Sequence, residues 1–168
     1  QKQGIFFNII DGVLRIVFFL TYLIAISQFK DIKTVFQYHG AEHKAVHCYE
    51  KKLKLTPLNA KQFTTIHPRC GTSFIMIVLV ISIITFTLIQ TPIWWQKLLL
   101  RILFMPVIAG ISYEILKFTA KYESNSIVKI LIYPGLLLQK ITTKEPNLKQ
   151  LECACQAIKQ VLEKEGKE

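Results

Sequence analysis

His39, Glu42 and His43 stand in the order His-x-x-Glu-His within Tyr38-His39-Gly40-Ala41-Glu42-His43-Lys44. On a helix, residues four apart lie one above the other, so His39 and His43 are placed to grip one metal ion through two imidazole nitrogens. The pattern reverses the His-Glu-x-x-His order of zinc peptidases, whose glutamate acts as general base on a metal-activated water. Glu42 is therefore the candidate catalytic base. His67 and Cys70, three apart around Pro68, add a nitrogen and a sulfur donor, a mixture that suits zinc or iron better than magnesium. Glu114 is a further candidate ligand, because an ionisable group near the end of an apolar run costs energy unless it is paired or liganded. His47 continues the histidine stripe, but the face drifts by about 40° every four residues, which makes it a weaker candidate. Each feature also has a plainer reading. The histidines can be interfacial and satisfied by hydrogen bonds, Cys70 a buried thiol at a helix start, and Glu114 a partner of Lys117. Cys153-x-Cys155 reads as one exposed and one buried thiol.

Such ligands need elements to position them, and hydropathy supplies the elements. The 168 residues are 51% hydrophobic, and 71–96 contain no Asp, Glu, Lys or Arg. A run of about 20 apolar residues crosses a bilayer core. Three spans are expected, at about 4–28, 71–90 and 97–118, with Pro92, Trp94 and Trp95 marking an interface before the third. The stretch 127–138, broken by Pro134-Gly135, is too short for a full crossing and reads as re-entrant or interfacial. From residue 29 to about 52 the chain mixes Lys30, Asp31, Lys33 and the histidines with Val35, Phe36 and Val46, and about 31–52 has the pattern of an amphipathic helix. A second amphipathic helix, about 148–166, carries Leu151, Ala154, Cys155, Ile158, Val161 and Leu162 at helical spacing. The expectation is one all-α membrane domain over 1–168. The first apolar run holds Asn8, Asp11 and Arg15, which argues against a cleavable signal peptide. A start at Gln1 rather than Met is expected of a processed form or fragment.

The net charge of +10 is not of the nucleic-acid-binding kind, since the lysines cluster at the ends of apolar runs. Between the first two spans lie Lys30, Lys33, Lys44, Lys51, Lys52, Lys54, Lys61 and Arg69, against Lys97 alone between the next two. The positive-inside rule then puts the long loop, the histidines and the C-terminal helix on the cytoplasmic or stromal side. Four cysteines, unevenly placed, are expected as ligands or buried thiols rather than a disulfide framework.

Five segments taken together carry a resemblance: 36–44 (Phe-Gln-Tyr-His-Gly-Ala-Glu-His-Lys), 67–74 (His-Pro-Arg-Cys-Gly-Thr-Ser-Phe), 109–114 (Ala-Gly-Ile-Ser-Tyr-Glu), Pro134-Gly135-Leu136 with Gln139, and Thr142-Thr143-Lys144-Glu145-Pro146. They resemble the YqhQ-like family of bacterial and plastid-lineage membrane proteins, described as predicted metal-dependent enzymes with no settled reaction. The resemblance runs from Gly4 to about Leu162, without the glycine-rich N-terminal segment that many members carry. It implies a bacterial cytoplasmic or plastid (thylakoid or inner envelope) membrane. Residue by residue it implies a metal site at His39, Glu42, His43, His67, Cys70 and Glu114, whereas His47 and Cys48 rest on proximity.

Three functions are compatible with this reading. The first is a membrane-embedded metal-dependent hydrolase in which His39 and His43 bind zinc, or alternatively iron, Glu42 is the base, and Glu114, His67 or Cys70 completes the shell. The second is a non-catalytic metal- or cofactor-binding protein with a closed shell. The third is a structural or assembly subunit whose partners, besides membrane lipid, are other membrane-protein subunits.

Overall fold

In a computed structural model, residues 2–89, 91, 93–122 and 125–166 are described. Among them every regular element is an α-helix: α1 (Lys2–Ile26), α2 (Lys30–Glu50), α3 (Pro57–Lys61), α4 (Gly71–Leu88), α5 (Trp94–Lys121), α6 (Ser126–Thr142) and α7 (Leu148–Lys164). The all-α expectation is met. Two compact units form, one from Gln1–Tyr22 with Pro68–Leu138, the other from Leu23–His67 with Gln139–Glu168.

Hydrophobic length dominates the first unit. Three stretches are long and apolar enough to cross a membrane: Ile9–Ile26, Gly71–Leu88 and Trp94–Lys121, with mean hydropathies of 2.2, 2.3 and 1.8. Only 6%, 11% and 11% of these stretches are buried within the protein, so their apolar side chains face outward, as in a helix solvated by hydrocarbon. The start of α4 is set locally. Cys70 takes an extended conformation as N-cap and its sulfur accepts from the Thr72 amide at 3.4 Å. At the other end Thr87 Oγ1 returns a hydrogen bond to the Ile83 carbonyl at 2.7 Å, hiding a hydroxyl that hydrocarbon could not satisfy. Trp94 and Trp95 form the first turn of α5 rather than preceding it, and Pro92 and Gln90 lie outside the described residues. The 127–138 stretch lies within α6, which runs through Pro134 to Thr142.

Small residues and caps build the second unit. Ala41, Ala45 and Cys48 of α2, Leu55, Ala60 of α3, and Leu151 and Cys155 of α7 form a buried core, with Phe63, Ala154, Ile158 and Leu162 packed against it. Alanines at i and i+4 let the helices approach closely, and α7 adds its stripe at the same spacing. α3 is short and depends on its start: Thr56 Oγ1 accepts from the Asn59 amide, and Pro57 occupies the first turn, where its missing N–H costs nothing. α7 opens on a capping box in which Asn147 and Gln150 satisfy each other's backbone amides at 2.9 and 2.8 Å. α2 is tied to the segment after α6 by the Lys144 amide, which donates to the Phe36 carbonyl at 2.9 Å. Gly40 is required at that crossing, because a Cβ there would collide with the Lys144 carbonyl oxygen.

Candidate metal centre

The polar face of α2 holds the chemistry of the second unit. His39, His43, His47 and Glu50 follow at spacings of four, four and three, a stripe on one side of a helix. The non-helical segment ending at His67 and the last residue of α6, Thr142, lie along it. Their carbonyls fix the rings. His39 Nδ1–H donates to the Thr142 carbonyl at 2.9 Å, His43 Nδ1–H to that of Thr65 at 2.6 Å, and His47 Nε2–H to that of Ile66 at 2.9 Å. A carbonyl only accepts, so each bond sets a tautomer. The lone pair lies on Nε2 in His39 and His43 and on Nδ1 in His47. An imidazole that donates one N–H to a carbonyl and turns the other nitrogen toward an ion is the usual arrangement of a metal ligand.

His67 is held from both sides. Its amide donates to Gln139 Oε1 and its carbonyl accepts from Gln139 Nε2, both at 2.8 Å, and Gln139 is 0% exposed. Thr143 Oγ1 donates to the Gln139 carbonyl at 2.8 Å, which anchors that clamp in turn. Thus fixed, the His67 ring lies 4.5 Å from that of His47 and 5.8 Å from that of His43, while His39 and His43 are 4.5 Å apart, centroid to centroid. His67 Nε2 is 3.2 Å from Glu50 Oε2. Burial holds the His67 pKa below the ordinary imidazole value, with the Glu50 hydrogen bond working against that shift. The ring is consequently neutral near pH 7, the state in which imidazole binds metal.

One ligand atom each from His47, Glu50 and His67 lie within 4.8 Å of one another. Two ligands about 2.0–2.1 Å from a tetrahedral ion stand roughly 3.3 Å apart, so the observed spacing needs only small side-chain adjustment. The donor set of two imidazoles and a carboxylate fits zinc or iron. Beside it, Lys44, 5% exposed at its side chain, is neutralised by Glu145 Oε1 at 2.6 Å and also donates to the Lys61 carbonyl at 3.1 Å, so its charge is compensated without any stripe residue.

The residues singled out from sequence are therefore distributed unevenly. His39, His43 and His67 share the second unit. Glu42 is exposed on α2, about 100° around the helix from His43, and neither it nor Glu114 joins a ligand group among the described residues. Glu114 belongs to the first unit, where its 69% exposed side chain lies 3.8 Å from Lys117. Cys70, also of the first unit, is the buried N-cap of α4. Sequence reasoning ranks His47 low and passes over Glu50, although the continuing four-four-three spacing is the signal that points to both.

A family profile described as a protein of unknown function, DUF1385, matches residues 1–164. The chain belongs to the DUF1385 family. It is 38% identical over 157 residues to the uncharacterized protein YqhQ of Bacillus subtilis (strain 168), an alignment that covers 94% of this chain and 49% of that relative. The chain thus spans about half the length of the curated relative it matches, and the YqhQ-like resemblance is borne out. That relative is bacterial, which supports a bacterial origin for this DUF1385 chain. No solved structure matches.

Proposed function

We propose that this chain is a metal-dependent hydrolase of the bacterial cytoplasmic membrane, binding zinc, or iron in its place, at the α2 stripe with the site toward the cytoplasm. The observation that carries the proposal is the convergence of His47, Glu50 and His67 within 4.8 Å on a scaffold that holds the His47 ring through the Ile66 carbonyl and the His67 backbone through Gln139. Three protein ligands leave one position of a tetrahedral ion for water or substrate, the pattern of catalytic rather than structural zinc. Bound there, the ion would supply Lewis acidity and lower the pKa of a coordinated water. The chain's own residues do the rest: His39 and His43, whose Nδ1–H bonds leave the lone pair on Nε2, are neighbouring ligands or hydrogen-bond acceptors, and Glu42, exposed on α2, is the proposed proton acceptor.

The test is metal analysis of the full chain, purified without chelator, followed by assay against peptide and ester libraries. The expected result is about one ion per chain, lost in His47→Ala with His67→Ala, while Glu42→Gln keeps the ion and loses turnover. A preparation free of zinc and iron overturns the proposal. The non-catalytic reading has one observation in its favour, since the histidines already tie residues 65, 66 and 142 to α2. Bound metal with four protein ligands by X-ray absorption, and no hydrolysis, would favour it.

A further inference from the structure

Two arginines and an aspartate of the first unit lie inside the stretches read as membrane-crossing. Arg15 is six residues past Ile9 and Arg101 seven past Trp94, counted from the starts of their apolar stretches. At 1.5 Å per residue they lie roughly 9 and 10.5 Å along their helices from those starts, within stretches where an ionised side chain is costly and marks a site. Both line one groove of about 490 Å³ between α1, α4 and α5. Asp11 joins them there, accepting from Arg15 Nε at 2.9 Å. The Arg101 guanidinium stands 5.6 Å from the Phe86 ring. The floor is tight: a Cβ on Gly12 would lie 2.6 Å from Ile83 Cγ2, so α1 and α4 touch beneath the charged group. The rest of the wall is mostly aliphatic. Among the described residues lining the groove, Asp11 is the one acid against two arginines, which leaves one positive charge in surplus.

We propose that this groove binds one acidic phospholipid, its single phosphodiester between Arg15 and Arg101 and an acyl chain along the aliphatic wall. Guanidinium groups match phosphate oxygens with paired N–H donors, and one phosphodiester cancels one surplus charge. A neutral lipid leaves that charge uncompensated in hydrocarbon. A choline headgroup brings a further cation to a site already in excess. Free phosphate leaves the apolar wall unfilled. The inference rests on the membrane placement of the three helices and not on the metal.

The experiment uses the full chain in neutral detergent, offered phosphatidylglycerol or phosphatidylcholine of identical acyl chains, with retained lipid counted by native mass spectrometry. Inorganic phosphate serves as a separate arm read by thermal shift. One phosphatidylglycerol per chain should be retained, at least about tenfold more strongly than phosphatidylcholine. Arg101→Gln and Arg15→Gln should each abolish that preference, and Arg101→Lys should restore part of it in a chain that melts like the parent. Equal retention of the two lipids, an unaltered preference in Arg101→Gln, or a phosphate-induced shift as large as that from phosphatidylglycerol overturns the proposal. Carbonate extraction of membranes tests the placement separately: a chain released by carbonate defeats the membrane reading itself. Metal content of the same samples shows whether the α2 site stands or falls independently.

Discussion

Apolar side chains do opposite things in the two units. On α1 and α4, Phe18 and Leu88 are 71% and 78% exposed, whereas in the second unit Ala41, Ala45 and Cys48 are fully enclosed. In the first unit hydrophobicity therefore suits three helices to a hydrocarbon solvent, in which a backbone must satisfy itself within each helix. In the second unit it builds an ordinary core, and long-range hydrogen bonds specify how the chain crosses itself. The Gln139 to His67 clamp joins positions 72 residues apart, and the His39 to Thr142 bond joins positions 103 apart. Substitutions should accordingly be felt through packing and polar pairing in the second unit and hardly at all on the outward faces of the first.

The largest effect is expected from Leu151→Ala, which empties a core position of α7 and should cost about 2–5 kcal/mol in denaturant unfolding of the detergent-purified chain. Its counterpart, Phe18→Ala on the outward face of α1, should stay within about 0.5 kcal/mol. Equal losses would break the contrast. Next, Gln139→Leu keeps much of the volume but orphans the buried amide and carbonyl of His67. A loss of about 2–4 kcal/mol follows from two unmade bonds, with bound metal lost as well because His67 is no longer held. A variant that unfolds normally yet keeps its metal would show that the ring is positioned by Glu50 alone.

Much of the first unit was legible because its rule is local. An uncharged run at 71–96, closed on its N-terminal side by Pro68 and Cys70, can hardly become anything but α4. The stripe of His39 and His43 was equally readable, since helical spacing needs no tertiary knowledge. Beyond that, legibility failed where geometry depends on a loop's path. His67 meets Glu50 only because residues 53–66 fold back along α2, and no spacing rule encodes that return. Gln139 stands in a sequence motif that does not give its role, because a side-chain amide clamping a backbone can be read only once both segments of chain are in place. Glu42 illustrates the converse: it adjoins His43 in sequence, yet on the helix it is exposed and about 100° round from that ring, so the Glu42→Gln assay decides whether it serves the site.

A smaller effect is expected at Gly40. Alanine there must push the Lys144 carbonyl away, which should cost about 1–3 kcal/mol as overpacking, and it should loosen the segment that fixes His39. The readout is faster hydrogen exchange at the Lys144 amide, which now donates to Phe36. Unchanged protection would mean that the crossing of α2 and residues 142–145 is more plastic than the Gly40 contact implies.

The thiols give the mildest test, and it depends on pH. Burial pushes the Cys48 and Cys155 pKa values up, so between the ordinary thiol range, about 8.5, and their higher folded values the unfolded chain loses protons that the folded chain keeps. Stability from these groups is complete below that range and declines as pH rises through it, since the folded state then binds more protons than the unfolded. Cys155→Ala should make the decline shallower while costing some packing. Exposed Cys153 should react with a maleimide at neutral pH much faster than its two buried neighbours. Equal labelling of Cys153 and Cys155 would mean that α7 leaves its core readily, and the second unit would then resemble the first in how little its own interior holds it together.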